Sequence, residues 1–250
     1  VVYAGGTFSS IGGQPRSFLA ALDPATGAAT AFDPAPNGGV QVLALDGGTL
    51  YAGGFFTTIA GAPRNRLAGI DLATGAATPF VVAASFSRPP TFTGLDASGG
   101  VVYALGNLRF TTGQRTFVGF DVSTGATVFD PQPDSGITAM AVSAGVVYAA
   151  GYFSEIGGQA RNGFAALDAQ TGLATALNPT LNVTAEVIEP VGGVVYIGGP
   201  FSTVDGQTRE GIAAIDAATG ALTPFNPGLG EFSDGAYALA SGNGVLYAGG

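Results

Sequence analysis

Two sets of polar residues in this chain have the types needed for chemistry. The first is regular: Arg16, Arg64, Arg115, Arg161 and Arg209 are followed six or seven residues later by Asp23, Asp71, Asp121, Asp168 and Asp216. Guanidinium and carboxylate groups at such spacing either grip a ligand or brace a loop. The second set is irregular: Asp96, Glu155, Glu186, Glu189, Asp205, Glu210, Glu231 and Asp234. Carboxylates hydrolyse glycosides when they stand about 5–5.5 Å or 6.5–9.5 Å apart, and they hold Ca²⁺ through oxygen. Asp96 and Glu189 share one repeat position, and Glu186 lies on the same strand as Glu189, so these three are the carboxylates to follow. Their other reading is a solvated channel wall.

Other chemistry is excluded by composition. The chain has no Cys, His, Trp or Lys. Disulfides, thiolate and imidazole metal sites, Cys–His nucleophile pairs and Schiff-base lysines are therefore ruled out, and no catalytic residue, cofactor or metal is expected. Eight Arg against 12 Asp and 5 Glu give a net charge of −9, with no basic face. Nucleic acid and anionic membrane surfaces both need such a face, so neither is an expected partner. No apolar run approaches the roughly 20 residues that span a bilayer, so membrane insertion is not expected. Only 10% of the residues are charged and 42 of the 250 are Gly, a composition that fits a secreted or cell-surface bacterial protein. The opening Val1-Val2-Tyr3-Ala4-Gly5-Gly6 reads as the middle of a structural unit, as in a mature or excised piece of something longer.

The elements that position these residues come from a repeat. Tyr3, Tyr51, Tyr103, Tyr148, Tyr196 and Tyr247 recur at spacings of 48, 52, 45, 48 and 51. Each Asp opens an Asp-x-x-Thr-Gly turn closed by Gly27, Gly75, Gly125, Gly172 or Gly220. A period near 48 matches a four-stranded propeller blade. Within residues 40–80, Val40 to Leu45 and Thr49 to Ala52 flank Asp46-Gly47-Gly48 as a hairpin. Arg66 to Ile70 then reads as a third strand and Ala76 to Phe80 as a short fourth. Sustained helical periodicity is absent, and frequent glycine disfavours helices. The expected fold is all-β: a single propeller domain of about five four-stranded antiparallel blades, or a window of a six-or-more-bladed array. The first strand of each blade is expected nearest the axis. Residues 245–250 copy residues 1–6, leaving one surplus strand whose free edge could join a second copy.

A group present in every blade solves a problem that every blade has. The regular Asp is expected to accept the turn amides while its closing Gly takes positive φ. The regular Arg is expected to donate to loop carbonyls or to that Asp. Gly-Gly pairs after the Tyr precede a strand, with no helix N-terminus or Lys, so they read as bulges or close backbone approaches and not as a phosphate cradle. The anchor tyrosines and Phe8, Phe56, Phe110, Phe153 and Phe201 follow the repeat and read as core, whereas Tyr152 and Tyr237 lie outside it. Asn182-Val183-Thr184 matches a glycosylation pattern. The third unit breaks rank at Val81 to Pro90 and Leu105 to Gln114, which makes Arg88 and Arg109 the first place to look for a partner face.

The motif Tyr-Ala-Gly-Gly-x-Phe-[Ser/Thr]-x-Ile-x-Gly-x-x-Arg, followed by Ala-x-x-Asp-x-x-Thr-Gly, as in residues 3–27 and 51–75, resembles a family of secreted bacterial β-propeller repeats of unknown function. It is more distantly similar to kelch repeats, with Phe32, Phe80, Phe129, Phe225 and Leu177 where kelch units usually carry Trp. The resemblance implies a fold and carries no catalytic residues. The functional expectation is a non-enzymatic extracellular scaffold or binding module with a protein or glycan partner. The alternatives are a secreted carbohydrate-active hydrolase or lyase using irregular carboxylates, and a polymerising surface or filament protein.

Overall fold

The structure is a computed structural model that describes residues 1–229 and 235–250. Every regular element among the described residues is a β-strand, and no helix there is long and apolar enough to cross a membrane. The chain divides into two compact units, Val1–Val128 and Phe129–Gly250.

One module of the first unit shows the plan. Val40–Asp46, Thr49–Gly54 and Leu67–Asp71 form an antiparallel sheet in that order. Between its second and third strands the chain makes a small hairpin, Thr58–Ile59 against Ala62–Pro63. The second unit repeats this twice, with Ile137–Ser143, Val146–Gly151 and Phe164–Asp168, and with Val187–Val191, Val194–Gly198 and Ile212–Asp216. At the first module Val2–Gly5 pairs with Leu19–Leu22, and at the last Ala238–Gly242 pairs with Val245–Gly249.

Register explains the Tyr anchor. Tyr3, Tyr51, Tyr103, Tyr148 and Tyr196 stand opposite Ala21, Gly69, Gly119, Ala166 and Ala214 on the third strand. The small partner leaves room for the ring to cross the sheet and meet the fourth segment edge-on. Tyr3–Phe32, Tyr51–Phe80 and Tyr196–Phe225 ring centroids lie 5.5, 5.9 and 5.3 Å apart. A Cβ on Gly69 would come within 2.5 Å of the Thr78 hydroxyl oxygen, so no larger residue fits there without displacement.

The fourth segment is shorter than the sequence suggests. In most modules it touches the sheet through one bridge, such as Ile70 with Ala77, and through bonds such as Thr78 N–H to Gly69 O at 2.8 Å. The chain then curls, because the Thr30, Thr175 and Thr223 hydroxyls accept the amides of Phe32, Leu177 and Phe225. In the third module one residue fewer separates the closing glycine from Thr127-Val128-Phe129, and that stretch runs as a true fourth strand. This module also fuses its second strand with the small hairpin, giving the long pair Val101–Phe110 and Gly113–Asp121.

The core lies chiefly on the second and third strands. Thr49–Gly54 and Leu67–Asp71 are buried almost throughout, whereas the first strands are buried only at alternate or scattered positions. The apolar clusters join successive modules within a unit, as with Leu19, Val40, Ala52, Phe56 and Ile70. In the second unit Tyr148, Phe164, Ile188, Val195, Phe201 and Ile215 pack in the same way. The second glycine of a Gly-Gly pair is a close backbone approach, since a Cβ on Gly54 would lie 2.2 Å from the Gly39 carbonyl oxygen, and Gly151, which follows Ala150 at the equivalent place, stands equally close to the Gly136 carbonyl oxygen. The strands facing them carry a bulge, at Val40/Val42 and Ile137/Ala139.

Candidate functional site

The regular Asp residues work inside their own turns. Asp71 Oδ1 accepts the Ala73 and Thr74 amides at 3.1 and 2.8 Å and the Thr74 hydroxyl at 2.7 Å. Asp23, Asp121, Asp168 and Asp216 do the same, and each closing glycine has positive φ, from 69° at Gly27 to 75° at Gly220. These donors favour the charged carboxylate and hold all five pKa values below the usual range. In Asp121 the Ser123 and Thr124 hydroxyls add most and bring it to about 2.

Four of the regular Arg residues donate to the carbonyl of the fourth segment and not to the turn Asp. Arg161 Nη2 donates to Thr175 O at 2.6 Å and Nη1 to Ala160 O at 2.8 Å. Arg16, Arg64 and Arg209 grip Thr30, Thr78 and Thr223 in the same way. Arg115 donates from Nη1 to Gln114 O at 3.1 Å. The side chains of Arg16 and Asp33 also form an ion pair at 3.5 Å. In Arg16, Arg64, Arg161 and Arg209 the buried Nε has no hydrogen-bond partner.

A third recurrent device was not found by the sequence reading. Asn37, Asp134 and Asn182 lie in the linkers and clasp the small hairpin of the next module. Asn182 Oδ1 accepts the Ser202 and Thr203 amides, both at 3.0 Å, while its Nδ2 donates to Ser202 Oγ at 3.0 Å. Asn37 serves Thr57 and Thr58 likewise, and Asp134 serves Ser154 and Glu155. The Asn182 amide of the glycosylation pattern is thus engaged in the fold. An Asn or Asp 20 positions before Thr57, Ser154 and Ser202 was the available sequence signal.

The irregular acids fall at separate places. Asp96, in the first unit, accepts the Ala97 amide at 2.8 Å. Glu189 binds Ser241 on the neighbouring first strand through its amide at 3.1 Å and its hydroxyl at 2.6 Å. Asp205 accepts the Thr180 amide at 2.7 Å. Glu210 is exposed, and Glu231 and Asp234 lie outside the described residues. Glu155 lines a pocket of about 320 Å³ with Asp130, Gln132 and Thr171. Glu186 accepts the Tyr152 hydroxyl at 3.3 Å, and the Glu186 charge raises the Tyr152 phenol pKa.

Arg88 and Arg109 are brought onto neighbouring segments. Phe86 bridges to Phe110 with stacked rings 4.9 Å apart, and the Ser87 amide donates to Arg109 O at 2.7 Å. Both arginine side chains are exposed at the margin of the long hairpin.

No family model matches the sequence, and no curated protein does either. Among solved structures the chain is similar to the computationally designed Ika8 protein, at TM-score 0.55 and 16% identity over 92% of this chain and 74% of that one. It is also similar to the WD40 domain of Neurospora crassa Pan2, at TM-score 0.52 and 11% identity over 84% of this chain and 60% of that one. WD40 units are four-stranded propeller blades. Read with the all-β modules described above, these likenesses show that the chain has the fold of a β-propeller of several blades.

Proposed function

We propose that the chain is a non-enzymatic extracellular binding module, in which a repeated β scaffold presents the side chains that differ between blades. One observation carries this reading. The turn Asp carboxylates and the Arg Nη groups common to the blades are engaged in bonds within the fold, whereas Phe55, Arg88, Arg109, Tyr152 and Tyr237 break the repeat and are exposed. A side chain repeated in every blade serves the fold, and one that departs from it is available to a partner. The likeness to a WD40 domain supports a protein partner. Secretion from a bacterium rests on the composition and on the resemblance of the motif to secreted propeller repeats.

The test is to challenge the whole chain with a polysaccharide panel and with arrays of peptides and glycans. Saturable binding with no release of reducing ends or unsaturated sugars is the expected result, and turnover abolished by Glu155→Gln would overturn it. Glu155 is chosen because a second reading rests on its pocket. There the Asp130 and Glu155 carboxylates line the same concavity, as a secreted hydrolase or lyase would require. A third reading, self-association, rests on Val245–Gly249. Among the described residues this strand pairs only with Ala238–Gly242, and Val245 and Tyr247 are exposed. Light scattering across a concentration series that finds only monomers would remove it.

A further inference from the structure

Three side chains that break the repeat lie on neighbouring modules of the second unit. Glu186 and Tyr237 occupy equivalent places just before the first strands of successive modules. The Glu186 amide donates to Gly198 O at 2.8 Å, and the Tyr237 amide donates to Gly249 O at 2.8 Å. The two Glu189–Ser241 bonds tie these neighbouring strands together, and Glu186 and Tyr237 hold equivalent positions at their starts. From the other side Tyr152 follows the second strand of the preceding module and places its hydroxyl on Glu186 at 3.3 Å. The Tyr237 phenol adds a smaller electrostatic contribution that raises the Tyr152 phenol pKa in the same direction. Tyr152 and Tyr237 are 67% and 49% exposed.

A carboxylate that holds one exposed phenol, with a second exposed phenol at the equivalent place on the neighbouring strand, is chemically selective. The ring faces attract a cation through their quadrupoles, and the carboxylate supplies a full negative charge. No cationic side chain pairs with Glu186 among the described residues, and the net charge of −9 gives the chain a general attraction for basic partners. We propose that Tyr152, Glu186 and Tyr237 form a binding site for the ammonium or guanidinium group of a Lys or Arg side chain on a partner protein. This deepens the binding-module reading and rests on it.

The test is titration of the whole chain with a fluorescent Lys-rich peptide at low and high salt, followed by anisotropy. Tyr152→Ala, Tyr237→Ala and Glu186→Gln should each weaken binding about two- to five-fold, and the triple variant more than about ten-fold. Tyr152→Phe keeps the ring face and should bind nearly as well as the parent. Proton NMR should show the peptide's Lys ε-methylene signals moving upfield on binding, a ring-current signature lost in Tyr152→Ala and Tyr237→Ala. Glu210→Gln removes the same charge from an exposed acid elsewhere in the unit and should change nothing. Equal losses in Glu210→Gln and Glu186→Gln would overturn the site, because diffuse attraction would then explain binding. Competition by neutral oligosaccharides, or binding of tetramethylammonium with no binding of the peptide, would overturn the assignment to a basic protein segment. Peptide binding indifferent to all three substitutions sinks the site and leaves the binding-module reading intact, whereas saccharide turnover sinks that reading.

Discussion

Replacing Arg161 by Ala should destabilise the fold without touching any ligand. The structure gives the side chain two bonds of unequal worth: the partly buried one from Nη2 to Thr175 O at 2.6 Å, and an exposed one to the adjacent Ala160 carbonyl. A hydrogen bond involving a charged group is worth about 1.5–3 kcal/mol, and the exposed bond to the neighbouring residue adds little. Loss of the side chain's packing and an abandoned Thr175 carbonyl add to the cost. The orphaned Nε works the other way, since a buried donor without a partner costs about 1–3 kcal/mol and disappears with the side chain. The balance is a loss of about 2 kcal/mol, or about 4–8 °C in the midpoint for a chain of this size. Differential scanning calorimetry reads it directly. An unchanged midpoint, or one that changes only when a ligand is present, would refute the view that the repeated arginines serve the blades.

The five turn carboxylates have folded pKa values depressed below 3.8, so the stability they contribute is present above that value and is lost as pH falls towards about 2, where Asp121 titrates. Melting curves between these limits should show a fall that Asp121→Asn makes shallower. Gly54→Ala must fit a Cβ 2.2 Å from a carbonyl oxygen and should cost about 1–3 kcal/mol or more, while Gly48→Ala meets nothing within 4 Å and should be neutral in urea titrations. Glu189→Ala removes both bonds to Ser241, so the Ser241 amide should exchange with deuterium faster while amides of Thr49–Gly54 keep their protection.

The parts of this architecture written locally were legible in the sequence. The Asp-x-x-Thr-Gly turns and the hairpin around Asp46-Gly47-Gly48 each depend on residues a few positions apart, and the Tyr anchors were legible because they recur. The Arg acceptor was only half legible, because a guanidinium spans to either of two elements and the curl of the fourth segment decides between them. That curl also cuts the fourth strand to a bridge, through a Thr hydroxyl that competes with the ladder. Least legible were contacts between modules. Tyr152 and Glu186 are 34 residues apart, and Glu189 and Ser241 are 52 apart. Nothing in either local sequence announces the other; their meeting follows from how neighbouring sheets stack.

The linker clasp changes what counts as a building block. Because Asn37 holds Thr57 and Asn182 holds Ser202, the piece that coheres mechanically begins in the linker and ends in the following small hairpin, out of phase with the Tyr-to-Tyr motif. Anyone transplanting or deleting a blade along the motif boundary would sever that grip and leave a hairpin untethered. Cutting just before Asn37 or Asn182, so that the splice falls upstream of the clasp and not at the Tyr, would carry the clasp along, and a chimera spliced there is the one expected to keep its cooperativity.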